Sequence, residues 1–339
     1  MKKTTMKPMK SNRTIFRLDA LKIGLLMFIF SLTGCIDSPE VSHEVKVWGS
    51  RGLGDGRFHK PRAVASDSEQ RLYIVDMTGR VQVFDKDQQF VTSWRTPEVA
   101  MGKPCGLTVS NDGLLMVADT HYHRILFYQP DGTLVQDRTI GGTQGLGEGE
   151  FGYVTDVVQD SQDNYYVSEY GEFDRIQKFS PEGEFLMQWG GRGSEDGQFL
   201  RPQGMAVDEQ DRIWVADASN HRIQLFDATG DVAEHVMTWG SHGYDAGQIR
   251  FPYDIVLEDD FVFVCEFGNH RIQKFDRDGK SHGIWGMPGR ETGQMHQPWA
   301  MTIDDRNQMH VLDSYNHRVQ SLDYSHWRWP LRMDATTEE

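Results

Sequence analysis

The chain has 339 residues, 38% of them hydrophobic and 25% charged, with Lys+Arg 35 against Asp+Glu 50 and a formal net charge of −15. This composition belongs to a globular chain. It excludes a multi-spanning membrane protein and a disordered one, and its acidity lacks the basic footprint that a nucleic-acid backbone requires.

Residues 1–34 read as a secretory signal. Lys2, Lys3, Lys7, Lys10, Arg13, Arg17 and Lys22 precede the apolar run Ile23–Phe30, which is too short for a permanent membrane span. The run leads to Leu32-Thr33-Gly34-Cys35, which resembles the lipobox of bacterial lipoproteins. That resemblance implies that Cys35 becomes the first mature residue and carries the lipid. Ile36 behind it implies sorting to an outer membrane, with the chain facing the periplasm. Several acyl chains anchor stably where a single one binds only marginally. Residues 1–34 hold seven bases and one acid, so their removal leaves about −21. Residues 35–43 are then the lipidated Cys and a polar tether.

From residue 44 the sequence repeats. The segments ending at Pro61, Pro104, Val154, Pro202, Pro252 and Pro298 recur at spacings of 43, 50, 48, 50 and 46. Downstream of each lies an apolar run that ends in an acid: Asp76, Asp119, Glu169, Asp217, Glu266 and Asp313. A loop follows, and then a segment of the type Asn269-His270-Arg271-Ile272-Gln273. The copy near Pro202 predicts four short strands, Gly204–Val207, Arg212–Ala216, His221–Phe226 and Val232–Trp239. Its turns fall at 208–211 and 227–230.

Four-stranded antiparallel units in radial array form a β-propeller, which leaves only short, protected edges. The repeat resembles the NHL family over roughly residues 44–325, and that family's commonest arrangement has six blades. The predicted fold is all-β, six blades of four antiparallel strands, followed by a tail over 326–339. The sixth copy ends after Arg318–Asp323, while an orphan strand, 44–49, precedes the first copy. That strand is expected to complete the sixth blade and close the ring.

Residues repeated in every copy read as structural. Each acid and Arg ties its own hairpin, and the Asn-His preceding the Arg is turn chemistry, with Asn suited to left-handed geometry. The Gly-rich segments 190–198, 240–248 and 286–294 open no helix, so they read as connectors rather than phosphate cradles. Trp48, Trp189, Trp239 and Trp285 read as packing between blades. Cys105 and Cys265 fall on opposite blades and are expected to stay unbonded.

Adjacent strands run antiparallel, so the residues after the repeated Pro and the loops after the repeated acid share one mouth of the channel. Residues that differ between copies there are free to serve function. The post-Pro series is Arg62, Cys105, Thr155, Gln203, Tyr253 and Trp299. The loop series adds Met77, His121, Tyr122, Tyr170, Phe173, Phe267 and Tyr315. This is an aromatic funnel, suited to a peptide, a glycan or a protein segment. Tyr253, Trp299, Tyr122 and Arg62 are the first candidates for contact.

The repeat is also similar to that of peptidyl-amidoglycolate lyase, a resemblance that implies zinc held by three His following the repeated Pro. No His stands at any of the six post-Pro positions here, and His59 and His296 precede their Pro instead. Lactonases on other six-bladed propellers use a central calcium, and Asp156 and Asp254 are the two carboxylates placed to offer oxygens to one. The expected function is thus a non-catalytic envelope lipoprotein without a cofactor. It binds a protein, peptide or glycan but no nucleic acid, as a monomer or within an envelope complex. The alternative is a lyase or hydrolase using calcium or zinc in the same mouth. A purely structural member of an envelope complex, binding by the blade sides, is a third reading.

Overall fold

A computed structural model describes residues 44–331. The signal segment, Cys35, the tether and positions 332–339 lie outside the described residues. Among those described, the structure consists of six four-stranded antiparallel sheets. In each of blades 1 to 5 the strands follow chain order from the inner edge outward. Blade 1 runs through Pro61–Ser66, Leu72–Asp76, Arg80–Phe84 and Phe90–Arg95. Blade 4 runs through Pro202–Val207, Arg212–Asp217, Arg222–Asp227 and Glu234–Trp239. The inner strands of blades 2, 3, 5 and 6 are Gly106–Val109, Tyr153–Gln159, Pro252–Glu258 and Met301–Ile303.

Blade 6 takes its outer strand from the N-terminus. Lys46–Trp48 pairs antiparallel with Arg318–Asp323, Val47 lying opposite Gln320. The Trp48 indole N–H donates to Ser321 Oγ at 3.0 Å, and its ring meets Phe84 at 5.0 Å and Phe58 at 5.9 Å. The closing strand thereby bonds to blade 6 while packing on blade 1.

The hydrophobic core lies between blades. Ala63, Tyr73, Val75 and Val81 of blade 1 pack on Leu107, Leu115 and Val117 of blade 2. Leu72, Ile74 and Phe84 turn the other way, toward Leu312 and Val319 of blade 6. Both faces of the middle strands are buried, so Leu72–Asp76 reads as a continuous buried run rather than an alternation.

The Gly-rich connectors carry a large side chain into five of the six junctions. Phe58, Phe151, Phe199, Ile249 and Met295 are fully buried, each in a short parallel bridge with its own connector. Gly190 shows why glycine recurs there. Its φ is +108°, and a Cβ would stand 2.7 Å from the Phe199 ring.

The repeated acid, Arg and Gln hold the connector to the hairpin. In blade 4, Arg222 Nε donates to Asp217 Oδ2 at 2.8 Å, while its terminal nitrogens donate to the carbonyls of Ser194, Glu195 and Gln198, each at 2.8 Å. Asp217 also accepts the Leu200 N–H and the Asn220 side chain. The same pair recurs as Asp119–Arg124, Glu169–Arg175, Glu266–Arg271 and Asp313–Arg318, with Asp76–Arg80 looser at 3.6 Å.

One expectation is corrected. The left-handed residue of the Asn-His-Arg segment is the His rather than the Asn, with φ of +59° at His221, +58° at His270 and +60° at His317. Asn220 sits in a 3-10 turn and spends its amide on Asp217 and Gly193. The third strand of blade 4 therefore starts at Arg222, one residue later than its pattern predicts.

Candidate functional site

The inner strands enclose a cavity of about 340 Å³. All six post-Pro residues line it: Arg62, Cys105, Thr155, Gln203, Tyr253 and Trp299. Just beyond stand aromatic rings from the loops after the repeated acids. Phe267 stacks on Tyr253 at 4.4 Å and meets Trp299 edge-on at 5.5 Å, and Tyr315 lies 6.2 Å from Phe267. Tyr253 and Trp299 are themselves 4.9 Å apart. On the far side Tyr170 packs on Tyr153 at 5.3 Å, and His121 on the same ring at 5.1 Å.

Not every loop candidate joins this group. The Tyr122 hydroxyl accepts the Met101 N–H, and its ring faces Arg124, so it stands toward blade 2's own hairpin. Phe173 is partly exposed over Arg175. Met77 contributes its backbone N–H to His59 O. Gln203 is buried, its amide donating to Pro202 O.

The pattern also hid a contributor. Arg201 precedes the repeated Pro202, has a φ of +58°, and holds its guanidinium 4.9 Å from the Tyr170 ring and 5.9 Å from Tyr253. Arg62 lies likewise over Trp299 at 4.7 Å, and Lys60 over Tyr315 at 4.0 Å. Lys60, Phe251 and Gln297 share the left-handed backbone that turns the pre-Pro residue of their copies. A comparison of the residues before Pro, with Lys60, Lys103 and Arg201 among them, was the available signal.

Those pre-Pro residues are latched to the preceding blade. The His221 ring accepts the Phe251 N–H at 3.1 Å, His270 the Gln297 N–H at 2.9 Å, and His317 the Lys60 N–H at 3.0 Å. Asp174 takes the same part toward Arg201 at 3.2 Å. Burial, and then the neighbouring imidazole, lowers the pKa of each of the three His. The unfolded chain therefore binds protons more readily, and this contribution to stability is complete above about pH 7 and lost as pH falls through about 6.5 and below. Replacing all three by Asn, which tolerates the left-handed backbone and accepts without titrating, should flatten the fall in melting temperature between pH 7 and 5. An unchanged slope would place the acid sensitivity elsewhere.

Two carboxyls lie deeper in the channel. Asp156 accepts the Met205 N–H at 2.9 Å, and Asp254 accepts those of Ile255 and Met301, each at 2.8 Å. Burial pushes Asp254 up to about 7. Asp156 goes well above the ordinary range through burial and then the charge of Asp254. The Cys105 thiol is pushed up by burial too, and its sulfur sits 2.8 Å from Thr120 Oγ1. Cys105 and Cys265 are both free.

Neither a zinc nor a calcium ligand set is assembled among the described residues. No group of three or more His, Cys, Asp or Glu among the described residues is placed to hold a metal ion. His221, His270 and His317 each engage Nδ1 as an acceptor. Burial raises the pKa of Asp156 and Asp254, which accept backbone N–H groups, whereas calcium takes six to eight oxygens.

Residues 199–226 match the family described as NHL repeat. The chain carries an NHL repeat on a six-bladed β-propeller. Peptidyl-glycine alpha-amidating monooxygenase B of Xenopus laevis is 34% identical over 201 residues, covering 56% of this chain and 22% of that protein. NHL repeat-containing protein 3 of Mus musculus is 28% identical over 210 residues, 56% of this chain and 58% of that protein. The propeller thus spans about a fifth of the length of the first relative and somewhat over half of the second. Among solved structures, virginiamycin B lyase from Staphylococcus aureus superposes with a TM-score of 0.55 at 13% identity, covering 82% of this chain and 99% of that one. This likeness is one of fold.

Proposed function

We propose that this NHL-repeat propeller is a non-catalytic binding protein of the bacterial envelope, anchored by a lipid on Cys35, whose mouth captures a peptide, glycan or protein segment. One observation carries the reading. The six post-Pro positions, which differ from blade to blade, line one cavity, and Tyr253 and Trp299 build a wall there with Phe267, while the repeated residues are spent on hairpins and connectors. A closed ring holds that wall in place before binding, so little ordering entropy is lost on capture.

The double substitution Tyr253→Ala and Trp299→Ala tests it. Both rings line the cavity, and their loss should weaken capture of a bound partner at least tenfold, or by about 1.4 kcal/mol, while the ring still unfolds cooperatively. Unchanged capture by the folded variant would remove the mouth from the reading.

A second reading, a metal-dependent lyase or hydrolase in the same mouth, is favoured by the likeness to an amidating monooxygenase. Zinc or calcium held near one per chain after purification without chelator would move the assignment toward it.

A further inference from the structure

Each repeated arginine of this propeller is paired with the acid of its own blade. Two arginines of the mouth are not. Among the described residues, neither the Arg62 nor the Arg201 guanidinium makes an ion pair or a hydrogen bond, and the buried Nε of each is without a partner. Asp174 meets the backbone N–H of Arg201, and its ion pair runs to Arg192. Both guanidiniums lie instead over aromatic rings, Arg62 over Trp299 and Arg201 over Tyr170.

The two cations flank one aromatic wall. Arg201 lies 5.9 Å from the Tyr253 ring, Tyr253 is 4.9 Å from Trp299, and Arg62 is 4.7 Å from Trp299. Asp156 and Asp254 spend their oxygens on backbone N–H groups and pair with neither guanidinium. Among the described residues, two guanidiniums without an acidic partner thus stand at the mouth, Arg62 lining the central cavity and Arg201 beside it over Tyr170.

We infer that the mouth takes an organic carboxylate, its oxygens held between Arg62 and Arg201 and its apolar body against Tyr253 and Trp299. A guanidinium presents a planar fork that matches a carboxylate, and stacking on a ring fixes the plane of that fork. The aromatic wall asks for an apolar body beside the charge, which inorganic phosphate does not have. The described helices are three-residue turns and offer no phosphate-binding helix start. This inference rests on the ligand-binding reading above and names its ligand class.

Calorimetric titration of the full chain in detergent tests it, with matched acids and primary amides (3-phenylpropionate, N-acetylphenylalanine and N-acetyl dipeptides) and with inorganic phosphate. At least one acid should bind, with its amide about tenfold weaker or worse. Arg62→Gln and Arg201→Gln should each weaken the acid about tenfold while the melting temperature stays put, and added salt should weaken it further. Amides binding as well as acids, phosphate competing as strongly, unaffected Gln variants, or no acid binding at about 10 mM would each overturn the inference. The two readings fail separately. Equal binding of acids and amides that is lost in the Tyr253→Ala and Trp299→Ala variant removes only the carboxylate. Acid binding that survives in that variant removes the aromatic mouth.

Discussion

Deleting residues 44–49 should open the ring. The deletion strips the outer strand from blade 6, exposes the backbone edge of Arg318–Asp323, and removes the indole that packs on Phe58 and Phe84. An uncovered edge strand is a template for pairing with another chain, so the truncated protein should run as dimers and larger species in size-exclusion chromatography. Trp48→Ala separates the two losses, because it keeps the strand and removes the ring. It should cost about 3 kcal/mol, within the range for emptying an aromatic site, and lower the melting temperature by about 6 °C. A monomeric truncation with an unchanged melting temperature would show that the closing strand contributes nothing to the ring.

Arg222→Ala is expected to be more costly than any exposed substitution. It leaves the fully buried Asp217 carboxylate without its cation and orphans the connector carbonyls of Ser194 and Glu195, while Gln198 O keeps Gln224. Breaking one partner of a buried pair costs about 3–5 kcal/mol, which corresponds to a fall of about 6–10 °C in melting temperature. Asp217→Asn retains an acceptor for Leu200 N–H and is expected to cost less than Arg222→Ala. The pH dependence gives a second readout. Burial raises the Asp217 pKa in the folded state, with the hydrogen bonds to Leu200, Asn220 and Arg222 pulling it back. Without Arg222 the carboxyl is more costly to ionise, so the variant should lose further stability as pH rises from about 4 to 7. A loss below about 1 kcal/mol, independent of pH, would mean that the connector is held by the Gly-rich bridge and Gln224 alone.

The repeat was legible because it is driven by local chemistry. Five of the six copies use an acid, Arg and Gln to pin a connector, with Leu126 replacing the Gln in the second, and glycines let Phe58, Phe199 or Ile249 enter the junction. The unmatched ends, 44–49 and 318–323, likewise announced their pairing, since the first belongs to no copy of its own and the second is followed by no fourth strand. Less visible was the division of labour inside the Asn-His-Arg segment. Whether Asn or His takes the left-handed turn depends on an N–H offered by the next blade, at Phe251, Gln297 or Lys60. No spacing within one copy reveals that partner.

The mouth divides in the same way. Differences between copies marked Arg62, Tyr253 and Trp299 as free of structural duty, because the sequence alone says which positions repeat. Tyr122 and Arg201 could not be placed by that rule. Tyr122 sits in the loop series yet bonds to Met101, whereas Arg201 sits before the Pro and reaches Tyr170 on another blade. By itself the amino-acid sequence determined the number of blades, the order of strands, the closure and the face on which variation gathers. Each of these follows from periodicity and from the pairing of backbone groups. Only the tertiary structure decided which side chains meet, which arginines find an acid and which carboxyls are raised by burial. Those outcomes depend on distances between neighbouring blades about 50 residues apart, a separation that no local pattern encodes.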